Sequence, residues 1–194
     1  MTSNLFITLV FCLFSLVLFN NNYVYGEGMK MVNMETSQGT IVIELDEEKA
    51  PDTVRNFISY VQNGFYDGMI FHRVIDDFMI QGGGFTSDMH QKKVGSPIKN
   101  EADNNLKNEK YSVAMARTTD PHSASSQFFI NVNDNDFLNH KDKTQSGWGY
   151  AVFGKVVKGT EVVDKIKSVP TGKRSVYTDV PVEPILIIKA TVVE

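Results

Sequence analysis

The sequence predicts a mainly β domain, closed into a barrel and plugged at its ends by two α-helices. Three observations predict it. Short apolar or alternating segments recur along most of the chain. Only two segments repeat their apolar residues with a helical period. A sheet of so many strands is relieved of its exposed edges by closing on itself. A single domain extends from about Met29 onward, with no linker and no internal repeat.

The elements follow in order. Met31 to Thr36 reads as the first strand, and Ser37-Gln38-Gly39 turns the chain into Thr40 to Leu45, which alternates. Met69 to Val74, Phe78 to Gln81, Tyr111 to Arg117, Gln127 to Val132, Tyr150 to Val157 and Ile185 to Val193 are the later strands. The first helix opens at Ala50-Pro51-Asp52, with Pro near the first helical position and Asp in the first turn. Val54, Phe57, Ile58 and Val61 fall on one face, and Gly64 stands where a left-handed residue ends a helix. The second helix starts with Thr160 as N-cap. Val162, Val163, Ile166 and Val169 form its apolar side, and Pro170 ends it.

Composition narrows the function class. With 194 residues, 42% hydrophobic and 22% charged, the chain can bury an ordinary core. Its net charge is −4 with no basic block, so nucleic acid is not an expected partner. The segment 1–26 carries no charged side chain, and Leu5 to Phe19 is an almost unbroken apolar run. That run is shorter than the ~20 residues of a spanning helix. It fits the apolar region of a signal peptide, with cleavage after Gly26 and residues 27–194 as the mature domain. An uncleaved membrane anchor through residues 5–19 is the alternative. Cys12, the single cysteine, lies inside this run, so the mature chain could form no disulfide.

Two stretches carry the chemistry. Phe71 to Thr86, Phe-His-Arg-Val-Ile-Asp-Asp-Phe-Met-Ile-Gln-Gly-Gly-Gly-Phe-Thr, sets a fixed cation (Arg73) and an amide (Gln81) beside large apolar side chains (Phe78, Met79). Ser125 to Asn131, Ser-Ser-Gln-Phe-Phe-Ile-Asn, adds the amide of Gln127 and the rings of Phe128 and Phe129. Strand alternation puts Phe128 in the core. By the same rule His72 points away from Arg73, as a satisfied structural histidine. The glycines 82–84 lack the Gly-Lys-Ser/Thr of a phosphate loop and read as a strand-end bend. His90, His122 and His140 show no metal-ligand spacing, and no cofactor is called for.

These motifs, with Ser126 to Ile130 and Val152 to Val156 (Val-Phe-Gly-Lys-Val), resemble the cyclophilins. The resemblance spans about Met29 to Glu194. Pro97 to Ala102, Ala114 to Thr118 and Gly149 to Gly154 resemble the bacterial branch, above all its periplasmic members. It implies an eight-stranded antiparallel barrel capped by two helices, and peptidyl-prolyl cis-trans isomerisation. Arg73 matches the catalytic arginine and Gln81 the amide beside it. Phe78, Met79, Phe129 and Leu138 match the floor and walls of the proline pocket. Ala116 and Gln127 match the groove for the residues before the proline. Arg117 stands where many eukaryotic members carry Asn, in a contact made by backbone. Phe137 and Tyr150 stand where cyclosporin-sensitive members carry Trp and His, so weak cyclosporin binding is expected.

The expected substrates are proline-containing, unfolded or partly folded polypeptides in an exported, periplasmic setting. A closed barrel without an apolar stripe suggests a monomer. A non-catalytic module holding the same segments is a second reading, which the presence of Arg73 disfavours. A hydrolase pairing His72 with Asp76 is a third, for which no nucleophile context exists.

Overall fold

The computed structural model describes Lys30 to Val193. The expected signal segment and cleavage site lie outside the described residues. Strands β1 (Met31–Thr36) and β2 (Gly39–Leu45) form a hairpin. After helix α1 (Pro51–Gln62) come β3 (Met69–Ile75), β4 (Met79–Thr86), β5 (Ser112–Met115), β6 (Phe128–Asn131) and β7 (Val152–Lys158). Helix α2 (Thr160–Lys167), β8 (Thr171–Arg174), β9 (Tyr177–Pro181) and β10 (Ile185–Val193) complete the chain. The barrel closes in the order β1-β10-β3-β4-β6-β5-β7-β2, every pairing antiparallel. The eight strands read from the sequence are these eight.

Side chains alternate between the inside and the outside of the barrel. Ile80, Val113, Phe128, Ile130 and Phe153 point inward and are fully buried. Helix α1 plugs this core with Phe57, whose ring lies 5.2 Å from Tyr66, 5.5 Å from Phe128 and 5.0 Å from Phe153. Ala50 offers no side-chain cap at its N-terminus. The Glu101 carboxylate does so instead, accepting from the backbone N–H groups of Asp52 (3.2 Å) and Thr53 (2.9 Å) and from the Thr53 hydroxyl (2.7 Å). This satisfies orphan donors and sets a negative charge at the positive end of the helix. It also explains why Thr53 is buried, while Ile58, expected on the apolar face, is only partly so. At the other end Gly64 adopts φ +62°, and the N–H groups of Gly64 and Phe65 bond the carbonyls of Val61 and Tyr60. That is the expected left-handed stop.

Three expectations need correction. Gly159, not Thr160, is the N-cap of α2: its carbonyl accepts from Val162 and Val163, and no hydroxyl cap forms. The helix stops at Lys167, before Pro170, although Val169 still packs on the core. Finally, 171–181 forms the β8–β9 hairpin, a separate two-stranded sheet lying against β3. Its β8 residues are all exposed, so no apolar alternation marked it in the sequence.

Candidate active site

Register builds the site. Arg73 lies opposite Gln81, Gln81 opposite Phe129, Phe129 opposite Ala114, and Ala114 opposite Val152. Directly paired residues share a face, so these five make one row across the outside of the barrel. Around the row, Met79, Phe129 and Leu138 form a second, small buried cluster, with Phe78, Ala116 and Tyr150 partly buried against it. This apolar patch on the outer face is separate from the core. Its rim is Phe137, 64% exposed and stacked on Phe78 at 5.6 Å. Tyr150 meets Phe129 edge-on at 5.7 Å.

The polar side of the row is equally ordered. The Gln81 amide donates to the Gln127 side-chain carbonyl at 2.9 Å. The Ala116 N–H donates to the Gln127 backbone carbonyl at 2.9 Å. With Arg117, Thr118, Ser123 and Ser125 these residues line a depression of about 190 Å³. The Arg117 guanidinium is folded back: Nε donates to the Gly149 carbonyl at 2.9 Å and Nη1 to the Thr118 carbonyl at 2.9 Å. Its Cζ lies 4.6 Å above the Tyr150 ring. The Arg117 side chain thus ties the loop ahead of β7 to the strand-end at Ala116, leaving backbone to face the groove. Every residue expected at the site from the sequence is brought to this face.

The glycines do not end a strand as expected. β4 continues through them to Thr86, and the bend is a bulge inside it, where the register with β3 slips between Ile70 and Phe71. Gly83 has φ +76°, and a Cβ there would stand 2.8 Å from both the Ser126 carbonyl and Tyr66. A Cβ on Gly84 would stand 2.7 Å from the Gln127 side chain, so its absence makes room for that amide.

A second slip, between Phe71 and Arg73, falls at His72. Alternation fails at a bulge, and His72 is not sent away from the site. Its ring packs edge-on against Phe85 at 4.8 Å and lies beside Gln127 and Arg73. Nor is it fully satisfied, since Nδ1 has no hydrogen-bond partner among the described residues. Burial pushes its pKa down to about 4, the Arg73 charge adding to the effect while contacts with the Ile70 backbone and Gln127 oppose it. His72 is therefore neutral at physiological pH.

Sequence reasoning missed two groups. Behind the pocket, Asn135 donates to the Phe78 carbonyl at 2.8 Å and to the Asn131 side chain at 2.7 Å. Asn131 donates to Asn108 (3.2 Å) and to Ser112 (2.9 Å), and the backbone N–H of Asn108 donates to the Asn139 side chain (2.7 Å). This buried amide network fixes the 3₁₀ turn Asp136–Leu138 that presents Phe137 and Leu138. Clustered asparagines at 131, 133, 135 and 139 were the available signal. The other group is Asp179 on β9, with Oδ2 at 3.9 Å from Arg73 Nε. Nothing in the sequence singled it out.

The profile of the family described as "Cyclophilin type peptidyl-prolyl cis-trans isomerase/CLD" matches residues 31–192. Peptidyl-prolyl cis-trans isomerase cyp18 of Streptomyces antibioticus is 62% identical over 164 residues, covering 84% of this chain and 99% of that one. Peptidyl-prolyl cis-trans isomerase B of Escherichia coli K12 is 56% identical over 164 residues, covering 84% of this chain and 100% of that one. A cyclophilin-type isomerase of Cryptosporidium parvum, crystallised in the presence of the dipeptide Ala-Pro, superimposes with a TM-score of 0.70 at 26% identity. The alignment covers 84% of this chain and 99% of that one. The chain therefore belongs to the cyclophilin-type peptidyl-prolyl cis-trans isomerases, within their bacterial branch.

Proposed function

We propose that Arg73 and Gln81 carry the peptidyl-prolyl cis-trans isomerisation that is the activity of this chain, acting on proline-containing segments of unfolded or partly folded polypeptides outside the cytoplasm. The observation that supports it most is the row Arg73–Gln81–Phe129, which sets a cation and an amide at the lip of an apolar pocket.

The X–Pro bond turns over a barrier of ~18–20 kcal/mol because amide resonance resists twisting. Bringing exchange from tens of seconds to milliseconds requires about 5.5–7 kcal/mol. In the planar ground state the prolyl nitrogen accepts no hydrogen bond; in the twisted transition state its lone pair returns. Arg73 can donate to it only then, which is differential binding. A charge-assisted bond of this kind contributes ~1.5–3 kcal/mol. Met79, Phe129, Leu138 and Phe78 grip the ring while the Gln81–Gln127 pair and nearby backbone hold the preceding residues, and these preorganised contacts supply the rest. No acid–base step is required. Asp76 is tied to Lys167 at 2.8 Å rather than to His72, which gives a hydrolytic dyad no support.

The export reading rests on the apolar run ahead of residue 27 and the cysteine-free chain beyond it. We further take the protein as a monomer that binds cyclosporin weakly. The mechanism is tested by Arg73→Ala in an isomerisation assay on a short proline peptide. kcat/KM should fall about 100-fold, matching ~3 kcal/mol, with the far-UV spectrum unchanged because the side chain lies on the outer face. Near wild-type turnover would sink the assignment of Arg73.

A further inference from the structure

Asp179 lies on β9, beside β3, with φ +60°, in the left-handed region that Asp enters more readily than most side-chain-bearing residues. Here the conformation brings the carboxylate to 3.9 Å from Arg73 Nε, while Oδ2 accepts from the Thr178 hydroxyl at 3.0 Å. Asp179 is the acid that pairs with Arg73 among the described residues. Gln81, opposite Arg73 in the register, gives its amide hydrogen to Gln127.

A guanidinium is planar and presents its donors in a fixed fork. A carboxylate on the Nε edge leaves the two Nη groups to face elsewhere. Both side chains are about two-fifths exposed, 42% for Arg73 and 39% for Asp179, so solvent screens the pair and its charge effect on the groove is small. Its geometric effect does not depend on strength alone: a long side chain with many rotamers loses freedom before the substrate arrives.

We propose that Asp179 is a positioning residue for the isomerisation, holding the Nε edge of Arg73 so that the Nη groups are presented to the prolyl nitrogen. The inference rests on the catalytic reading of Arg73. It assigns the β8–β9 hairpin a role in the site, as the element that delivers this carboxylate.

The test compares Asp179→Gly, Asp179→Asn, Arg73→Ala and the double variant Arg73→Ala/Asp179→Gly in the mature chain. Glycine removes the carboxylate and relaxes the left-handed backbone, so stability should hold or rise. Asp179→Gly should lower kcat about three- to fivefold with KM little changed, as expected for a partly exposed pair. Asp179→Asn keeps an acceptor oxygen and should lose less. In the Arg73→Ala background the second substitution should cost nothing further. Nε–H exchange of Arg73, followed by NMR, should be faster in Asp179→Gly. An unchanged or raised kcat in Asp179→Gly overturns the proposal. So does an equal loss with or without Arg73, or a loss that tracks a fall in melting temperature. Wild-type turnover by Arg73→Ala itself would instead remove the catalytic reading beneath it.

Discussion

The protonation of His72 links the site to the stability of the fold. The ring is 5% exposed, and its pKa is pushed from 6.5 to about 4, first by burial and further by Arg73. A base with a depressed folded pKa is stabilising to keep neutral. Between about pH 4 and 6.5 the unfolded chain binds more protons than the folded one, so stability rises with pH across that window. The full contribution is present above pH 6.5 and is lost as pH falls toward 4. At 1.36 kcal/mol per unit it amounts to about 3 kcal/mol, a large share of the ~5–15 kcal/mol typical of a domain. Asp76 and Asp103, held low by hydrogen bonds from Lys167 and Lys143, add a loss of their own at the acid end of the window, and it is common to the wild type and a His72 variant, so it cancels in their difference. The assay is urea denaturation at steps across the window for the wild type and His72→Phe. Phenylalanine is larger and costs some packing at every pH, so the slope of stability against pH is the readout, not its level. The wild type should lose about 3 kcal/mol more than the variant from pH 7 to pH 4. Parallel slopes would refute the reasoning and mean that His72 titrates alike in both states.

Other outcomes are expected from the same geometry. Gly84→Ala should push the Gln127 side chain off Gln81, since the added Cβ would stand 2.7 Å away. Loss of that hydrogen bond should lower kcat/KM about two- to tenfold, measured against an intact fold by circular dichroism. Phe137→Trp should raise cyclosporin affinity, because an indole N–H supplies a donor that the exposed phenyl lacks. Turnover of a proline peptide should change by less than about tenfold in the same variant. N-terminal sequencing of the exported protein should begin near Glu27. Leu13→Lys should block export, since a charge in the apolar segment costs ~2.5–3.5 kcal/mol on the insertion scale.

The barrel was legible because each of its strands is long enough to alternate or is wholly apolar. Phe128 and Phe129 show how far this goes: one parity choice sends the first to the core and the second to the groove. The same rule failed at His72, because a bulge adds a residue without leaving a mark in composition. The β8–β9 hairpin was invisible for a different reason. Its β8 is exposed throughout, so burial wrote no pattern into it.

Local periodicity alone carries the closed mainly-β architecture and the two plugging helices, and resemblance to the cyclophilin motifs points to the pocket residues and their cation. What meets across the chain is set by the tertiary fold. It set the carboxylate of Glu101 on the start of α1 and the asparagines behind Phe78. It also paired Gln81 with Gln127 and brought Asp179 to Arg73. Those contacts join residues far apart in sequence through single polar groups. A hydrogen bond or ion pair needs one atom in one place, which leaves no period to read, whereas a buried face recurs along every strand that forms it.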